Sequence, residues 1–295
     1  MTATTATAAR PAAKNANKAA KDLVGRRWLS TLGIIIIVVY CLAPFYWMVV
    51  SALRQPNDQA DNSFFPSPLS MENFAGVFRS DVGFGRSLVN SVIVAGTTTI
   101  LTLILGTFAA YTLARLNFRF KNLAAGIIIA TSMFPGISLI VPLKKLFTEI
   151  GWIDSYQAMI VPSLSFALPL AVWTLATFFR QMPKELEEAA MVDGLTRGQA
   201  FRRVILPLAA PGMFTTAIIT FIAAWNEFII ALSMVNQKEM KTANVLVSQF
   251  TGISGYDSPF GTKMAAGVIV TVPLVLVVLI FQRRIIAGLT AGGVK

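Results

Sequence analysis

A single carboxylate, Glu227, interrupts an otherwise uncharged apolar run over residues 204–237, directly after Trp225 and Asn226. A charge inside a bilayer is costly, so it faces a bundle interior or a wet cavity. An aromatic face beside an amide suits a sugar, which makes Trp225, Asn226 and Glu227 candidates for a translocation pathway. The structural alternative is that Trp225 packs against a neighbouring helix and Glu227 is neutral or paired across a subunit seam. Catalysis has little to work with. The chain has no histidine, which removes Ser-His-Asp triads, histidine zinc sites and most acid–base schemes. Its one cysteine, Cys41, sits in an apolar run and reads as a buried structural thiol. A phosphate-binding loop needs G-x-x-x-x-G-K-[ST]. The nearest string has five residues between Gly255 and Gly261, and Thr262 separates Gly261 from Lys263. No catalytic residue, cofactor or metal site is assigned.

The second constellation is water-soluble and lies between long apolar stretches. Pro183 suits the first turn of a helix, and Glu185, Glu187 and Glu188 fall where the helix dipole favours acids. Gly194 is placed to end that helix. Thr196 and Gln199 have capping-box spacing for a second one, which should finish at Leu206 because Pro207 follows. The hairpin so defined spans residues 183–207. On the first helix Leu186, Ala189, Ala190 and Asp193 share a side, and the paired alanines form a shallow ridge for close approach by another protein. On the second, Phe201, Val204, Ile205 and Leu208 are set to pack back on the bundle. An exposed acidic and small-residue knob fits a basic cleft.

These sites need a membrane scaffold. Of 295 residues, 55% are hydrophobic and 13% charged, about half the charge of an ordinary soluble domain. Charge-free stretches long enough to span a bilayer predict six helices, at about 29–52, 87–114, 122–143, 155–179, 208–234 and 264–282. Pro44, Pro135, Pro162, Pro169 and Pro273 fall inside them and predict kinks or breaks. Of the 25 Lys and Arg residues, 17 lie in the two tails and the loops after the second and fourth spans, and 8 on the other side. That asymmetry puts both termini and the hairpin in the cytoplasm. Residues 1–28 read as a disordered basic tail that touches anionic lipid, and 285–295 as a short cytoplasmic tail. Residues 53–86 read as an ordered outer cap, and 236–263 as an exposed irregular loop.

The order Glu188-Ala189-Ala190-Met191-Val192-Asp193-Gly194, then Phe201, Leu206-Pro207 and Pro211, resembles the EAA loop of ABC importer permeases. "AAWNEFIIAL" and "IFQRRIIAGLTAGGVK" look like the carbohydrate-uptake branch. "FFRQMPKELEEAA" and "GQAFRRVILPLAAPG" look most similar to the second permease of actinobacterial trehalose and maltose-type importers. The resemblance implies an all-α, six-span type I importer bundle in a bacterial plasma membrane, carrying half of a pathway for a disaccharide such as trehalose or maltose. It implies that Glu188, Ala189, Ala190, Asp193, Gly194, Leu206 and Pro207 form the coupling site for a cytoplasmic ATPase dimer, with Glu188 meeting a basic group. ATP and magnesium would belong to that ATPase. It further implies a second, homologous permease, and an extracytoplasmic binding protein that meets the 236–263 loop. In the family the C-terminal tail reaches the interface between the two ATPases, while Arg283 and Arg284 here read as positive-inside anchoring. The competing reading, a secondary transporter working alone, predicts several intramembrane charges for ion coupling, and only Glu227 is present.

Overall fold

The computed structural model describes residues 10–58, 63–79, 83–250 and 259–291. Among them there are helices and no strand. The order is α1 (Arg10–Ala52), α2 (Glu72–Val77), α3 (Phe84–Arg115), α4 (Lys121–Ser132), α5 (Gly136–Glu149), α6 (Tyr156–Gln181), α7 (Glu185–Val192), α8 (Arg197–Ala200), α9 (Leu206–Trp225), α10 (Ile229–Met234), α11 (Ala243–Ser248) and α12 (Phe260–Ala291). Five stretches are long and apolar enough to cross a membrane: Trp28–Ala52, Phe84–Arg115, Tyr156–Gln181, Arg197–Trp225 and Phe260–Gln282.

The expected span at 122–143, in which Pro135 predicted a kink or break, is the pair α4 and α5, which meet at 91°. Pro135 causes the break. It has no N–H to continue the helix, and it disfavours helical geometry at Phe134 before it. The other four prolines sit inside helices that continue through them. The expected span at 208–234 is broken too, between α9 and α10, where no proline stands.

Helix α3 is the centre of the bundle and packs along α6 and α9. Small residues permit the close approach. Gly106 lies on Ala171 and Leu175, and Gly212 lies directly over the Phe178 ring. Close packing of this kind holds helices together where lipid removes the usual hydrophobic drive. Helix α1 packs on α12 and leaves most of its apolar surface uncovered. Cys41 is on that uncovered surface, so the expectation of a buried thiol is corrected. Residues 1–9 lie outside the described residues, but the expected disordered tail is helical from Arg10. Its alanines and lysines are strong helix formers.

The outer cap is ordered as expected over its described residues. The Asn73 amide donates to the Ala52 and Arg54 carbonyls at 3.0 and 2.6 Å. The buried Arg54 guanidinium lies over the Trp47 ring and donates to the Ser63 carbonyl. The segment after α10 departs from expectation. Helix α11 is tucked into the bundle, with Ala243, Val245, Leu246 and Phe250 buried. Its apolar residues outweigh the Gly/Ser character of the following stretch, of which 251–258 lie outside the described residues.

Candidate functional site

The hairpin starts with α7, whose first turn carries Glu185, Glu187 and Glu188. Pro183 precedes the helix and does not enter its first turn. Gly194, at φ 88°, closes α7 as expected. The Leu195 N–H donates to the Ala190 carbonyl and the Gly194 N–H to the Met191 carbonyl, both at 3.1 Å, a pairing that uses a left-handed residue after the helix. The capping box also forms: the Thr196 N–H donates to Gln199 Oε1 at 2.8 Å, and the Gln199 N–H to Thr196 Oγ1 at 3.4 Å.

The faces of α7 are the reverse of the simple apolar-inward rule. Glu187 points in and is 8% exposed, while Val192 points out and is 87% exposed. The inward carboxylate is accounted for: Tyr111 Oη donates to Glu187 Oε1 at 2.6 Å, and Arg197 Nε lies 3.9 Å from the same oxygen. Ala190 is buried as well, so it is not part of the exposed ridge predicted for it. Glu188, Ala189, Val192, Asp193 and Gly194 are exposed. Glu187 and Tyr111 were missed as site residues. The available signal was a third glutamate one position from Glu188, about 100° around the helix.

The second hairpin helix does not stop at Leu206. Residues Phe201–Ile205 form a π turn that leads straight into α9, and Arg197–Trp225 is one continuous stretch. The Leu206 N–H reaches back to the Phe201 carbonyl, five residues away, as a π turn requires. That wider turn lets Pro207 sit at the start of α9 without ending the helix. Phe201 and Ile205 are buried in an aromatic cluster with Tyr111 and Phe179, whereas Leu208 is exposed and does not pack back as expected.

The Trp225-Asn226-Glu227 group occupies the break between α9 and α10. Trp225 is 3% exposed, lies parallel to Phe221 at 5.8 Å, and donates from Nε1 to the Val270 carbonyl at 3.3 Å. It is a packed core residue here, which corrects its placement on a pathway. Asn226 is exposed and donates to the Ile222 carbonyl at 2.9 Å. Glu227 fastens α10: its two oxygens accept the Ile230 and Ala231 amides at 2.7 and 3.0 Å. On the other side of the break, Asn244 Nδ2 donates to the Trp225 carbonyl at 2.7 Å. Side chains therefore satisfy backbone groups that a continuous helix would have paired. The far end of α10 is held by Asp154, at φ 58°, whose Oδ1 accepts the Asn236 and Gln237 amides at 2.5 and 2.8 Å.

A cavity of about 620 Å³ opens between α3, α4, α5 and α6, lined by residues such as Leu105, Ile128, Phe134, Leu143, Phe166 and Val172. The hydroxyls in its lining, Thr131 and Ser165, already donate to carbonyls of their own helices. It offers an apolar wall and not a sugar-binding surface.

Comparison with known proteins adds the decisive observation. Residues 102–290 match the family described as the binding-protein-dependent transport system inner membrane component. The chain belongs to that family. Its relatives include the trehalose transport system permease protein SugB of Mycobacterium tuberculosis, 45% identical over 88% of this chain and 94% of the relative. The trehalose/maltose transport system permease protein MalG of Thermococcus litoralis is 39% identical over 93% and 99%. A crystal structure of a bacterial ABC transporter involved in the import of alginate has the same fold. Its TM-score is 0.75 at 19% identity, covering 95% of this chain and 99% of that one. This permease is thus the membrane component of an ABC importer, a transport subunit and not an enzyme. The solitary secondary transporter is set aside.

Proposed function

We propose that this permease forms half of the pathway of an ATP-driven importer for a disaccharide, trehalose or maltose, and takes its energy from a cytoplasmic ATPase dimer docked on the α7–α8 hairpin. The observation that carries the reading is the exposed face of Glu188, Ala189, Val192, Asp193 and Gly194, continuous through the π turn with a membrane-crossing helix. The face is shallow at Ala189, apolar at Val192 and acidic at Glu188 and Asp193, which suits a basic cleft. Ala190 is buried and supports this face from within, while Leu206 and Pro207 stand at the start of α9, beyond the docking face. The relatives' names supply the sugar class.

Counting α4 and α5 as one broken span gives six crossings, with both termini and the hairpin on the cytoplasmic side of the plasma membrane. Residues 29–284 make up the permease domain. The other half of the pathway comes from a second, homologous permease, and ATP and magnesium stay on the ATPase. An extracytoplasmic binding protein delivers the sugar to the outer loops. ATP-driven closure of the ATPase pair would move the hairpins and switch the cavity between the permeases. Asn226, exposed at the helix break, is the residue of the central group that remains available to the sugar.

Glu188→Lys tests the docking reading in the assembled complex. The ATPase should no longer co-purify, and trehalose and maltose uptake should vanish while the variant stays in the membrane at wild-type level. A variant that retains both the ATPase and uptake would overturn it. Uptake by both Asn226→Ala and Asn226→Leu at wild-type rate would remove Asn226 from the pathway.

A further inference from the structure

The hairpin is tied to α3 by more than its covalent ends. Three residues at helical spacing on the last turns of α3 reach it. The Phe108 ring lies 5.8 Å from that of Phe201, and the Tyr111 ring 4.4 Å from it. Tyr111 Oη donates to Glu187 Oε1 at 2.6 Å, and Arg115 Nη2 donates to the Met182 carbonyl at 2.8 Å. We propose that Tyr111 is a positioning residue that couples the docking hairpin to α3, through its hydroxyl on the inward-facing Glu187. This rests on the hairpin being the ATPase-docking element.

Besides the chain that enters it from α6, two routes lead from the hairpin into the bundle. The covalent route passes through the π turn and Pro207, where the backbone bonding is rearranged and one N–H is missing. Such turns are the compliant points of a helix. The second route runs from α7 through Glu187 to Tyr111. Its hydrogen bond has a charged acceptor, which makes it shorter, stronger and directional. The rings of Phe179 and Phe201 pack against the Tyr111 ring, but apolar contacts alone permit sliding. The hydroxyl fixes the register of α7 against α3. Because α3 packs along both α6 and α9, a displacement delivered at its end reaches the centre of the bundle. Arg197, whose Nε lies 3.9 Å from the same Glu187 oxygen, belongs to the second hairpin helix, so both arms of the hairpin meet at the carboxylate that holds Tyr111.

The experiment uses the full complex, with its companion permease, ATPase and binding protein, in phospholipid vesicles. The readout is trehalose, or maltose in a parallel series, accumulated per ATP hydrolysed, with the retained ATPase measured in the same preparations. Tyr111→Phe removes the donor and keeps the ring; Glu187→Ala removes the acceptor; Glu187→Gln keeps an acceptor oxygen. Tyr111→Phe and Glu187→Ala should retain the ATPase and lower sugar per ATP about three- to tenfold, as expected for loss of one charge-assisted bond. Glu187→Gln should stay within about twofold of wild type. The double variant Tyr111→Phe/Glu187→Ala should fall no further than either single one. A wild-type ratio for Tyr111→Phe, including the case where uptake and retained ATPase fall together, overturns the proposal, as do losses that multiply in the double variant. If Glu188→Lys keeps its ATPase, the docking reading itself has failed; if it loses the ATPase while Tyr111→Phe is wild type, only the Tyr111 link is wrong.

Discussion

Gly212 tests the contact between α9 and α6. A methyl group there would stand 2.5, 2.7 and 2.8 Å from Cγ, Cδ2 and Cδ1 of Phe178. Carbon atoms rest at about 3.5–4.0 Å, so the gap must open by about 1 Å. Cγ is the root of the ring, and it cannot move without a new rotamer or a shift of α6. Forced repacking of this size costs about 1–3 kcal/mol, and alanine's helix propensity returns about 0.8–1.0 kcal/mol. Gly212→Ala should therefore lose up to about 2 kcal/mol. Gly106 provides the control. Its added methyl would meet Ala171 at 3.5 Å and Leu175 at 3.8 Å, ordinary contact distances. Gly106→Ala should be neutral or stabilising, so the two variants differ by about 1–3 kcal/mol. The assay is thermal unfolding of the purified permease in detergent, with Phe178→Leu added to relieve the clash. A Gly212→Ala protein that melts at or above Gly106→Ala, or one that Phe178→Leu leaves unimproved, would refute the close crossing.

Three other changes probe the helix break and its supports. Glu227→Ala strips the acceptors from the Ile230 and Ala231 amides, about 1–3 kcal/mol for each buried donor, so uptake should be lost while the ATPase still co-purifies; Glu227→Gln, with one acceptor oxygen left, should fall between. Asn90 is buried, donates to the Glu239 and Lys241 carbonyls, and accepts from Tyr156 Oη; Asn90→Leu should cost at least about 2 kcal/mol in a melting assay, and Tyr156→Phe only about 0.5–1.5 kcal/mol. Asp154→Ala should lower the melting temperature more than Asp154→Asn, which keeps the accepting oxygen and tolerates positive φ.

The hairpin's punctuation was readable in the sequence because it is local. A positive φ at Gly194 and the Thr196–Gln199 box depend only on residues a few positions apart. The break at Pro135 was readable for the same reason, although its right angle was not. What failed was whatever depended on a distant partner. Glu187 was passed over because its explanation, Tyr111, lies 76 positions away in the chain. The α9–α10 break is marked by no proline, and Asn244, which caps the Trp225 carbonyl there, lies 19 positions further along the chain. Trp225 looked like a sugar platform by type, yet Val270 on α12 makes it core. Leu206-Pro207 looked like a stop, yet the preceding π turn absorbs the proline.

That π turn also fixes an azimuth. A helix with one π turn holds one residue more than a smooth helix between the same two end points. Removing a single residue within Phe201–Ile205 would restore a regular ladder and leave the hairpin facing as it does, whereas removing one from the regular turns of α9 would rotate the hairpin by about 100° around that helix axis. The exposed face of α7 would then look along the membrane surface in a different direction, with every side chain of the hairpin intact. The direction in which the hairpin presents its exposed face is therefore written in a count of residues as well as in their identities.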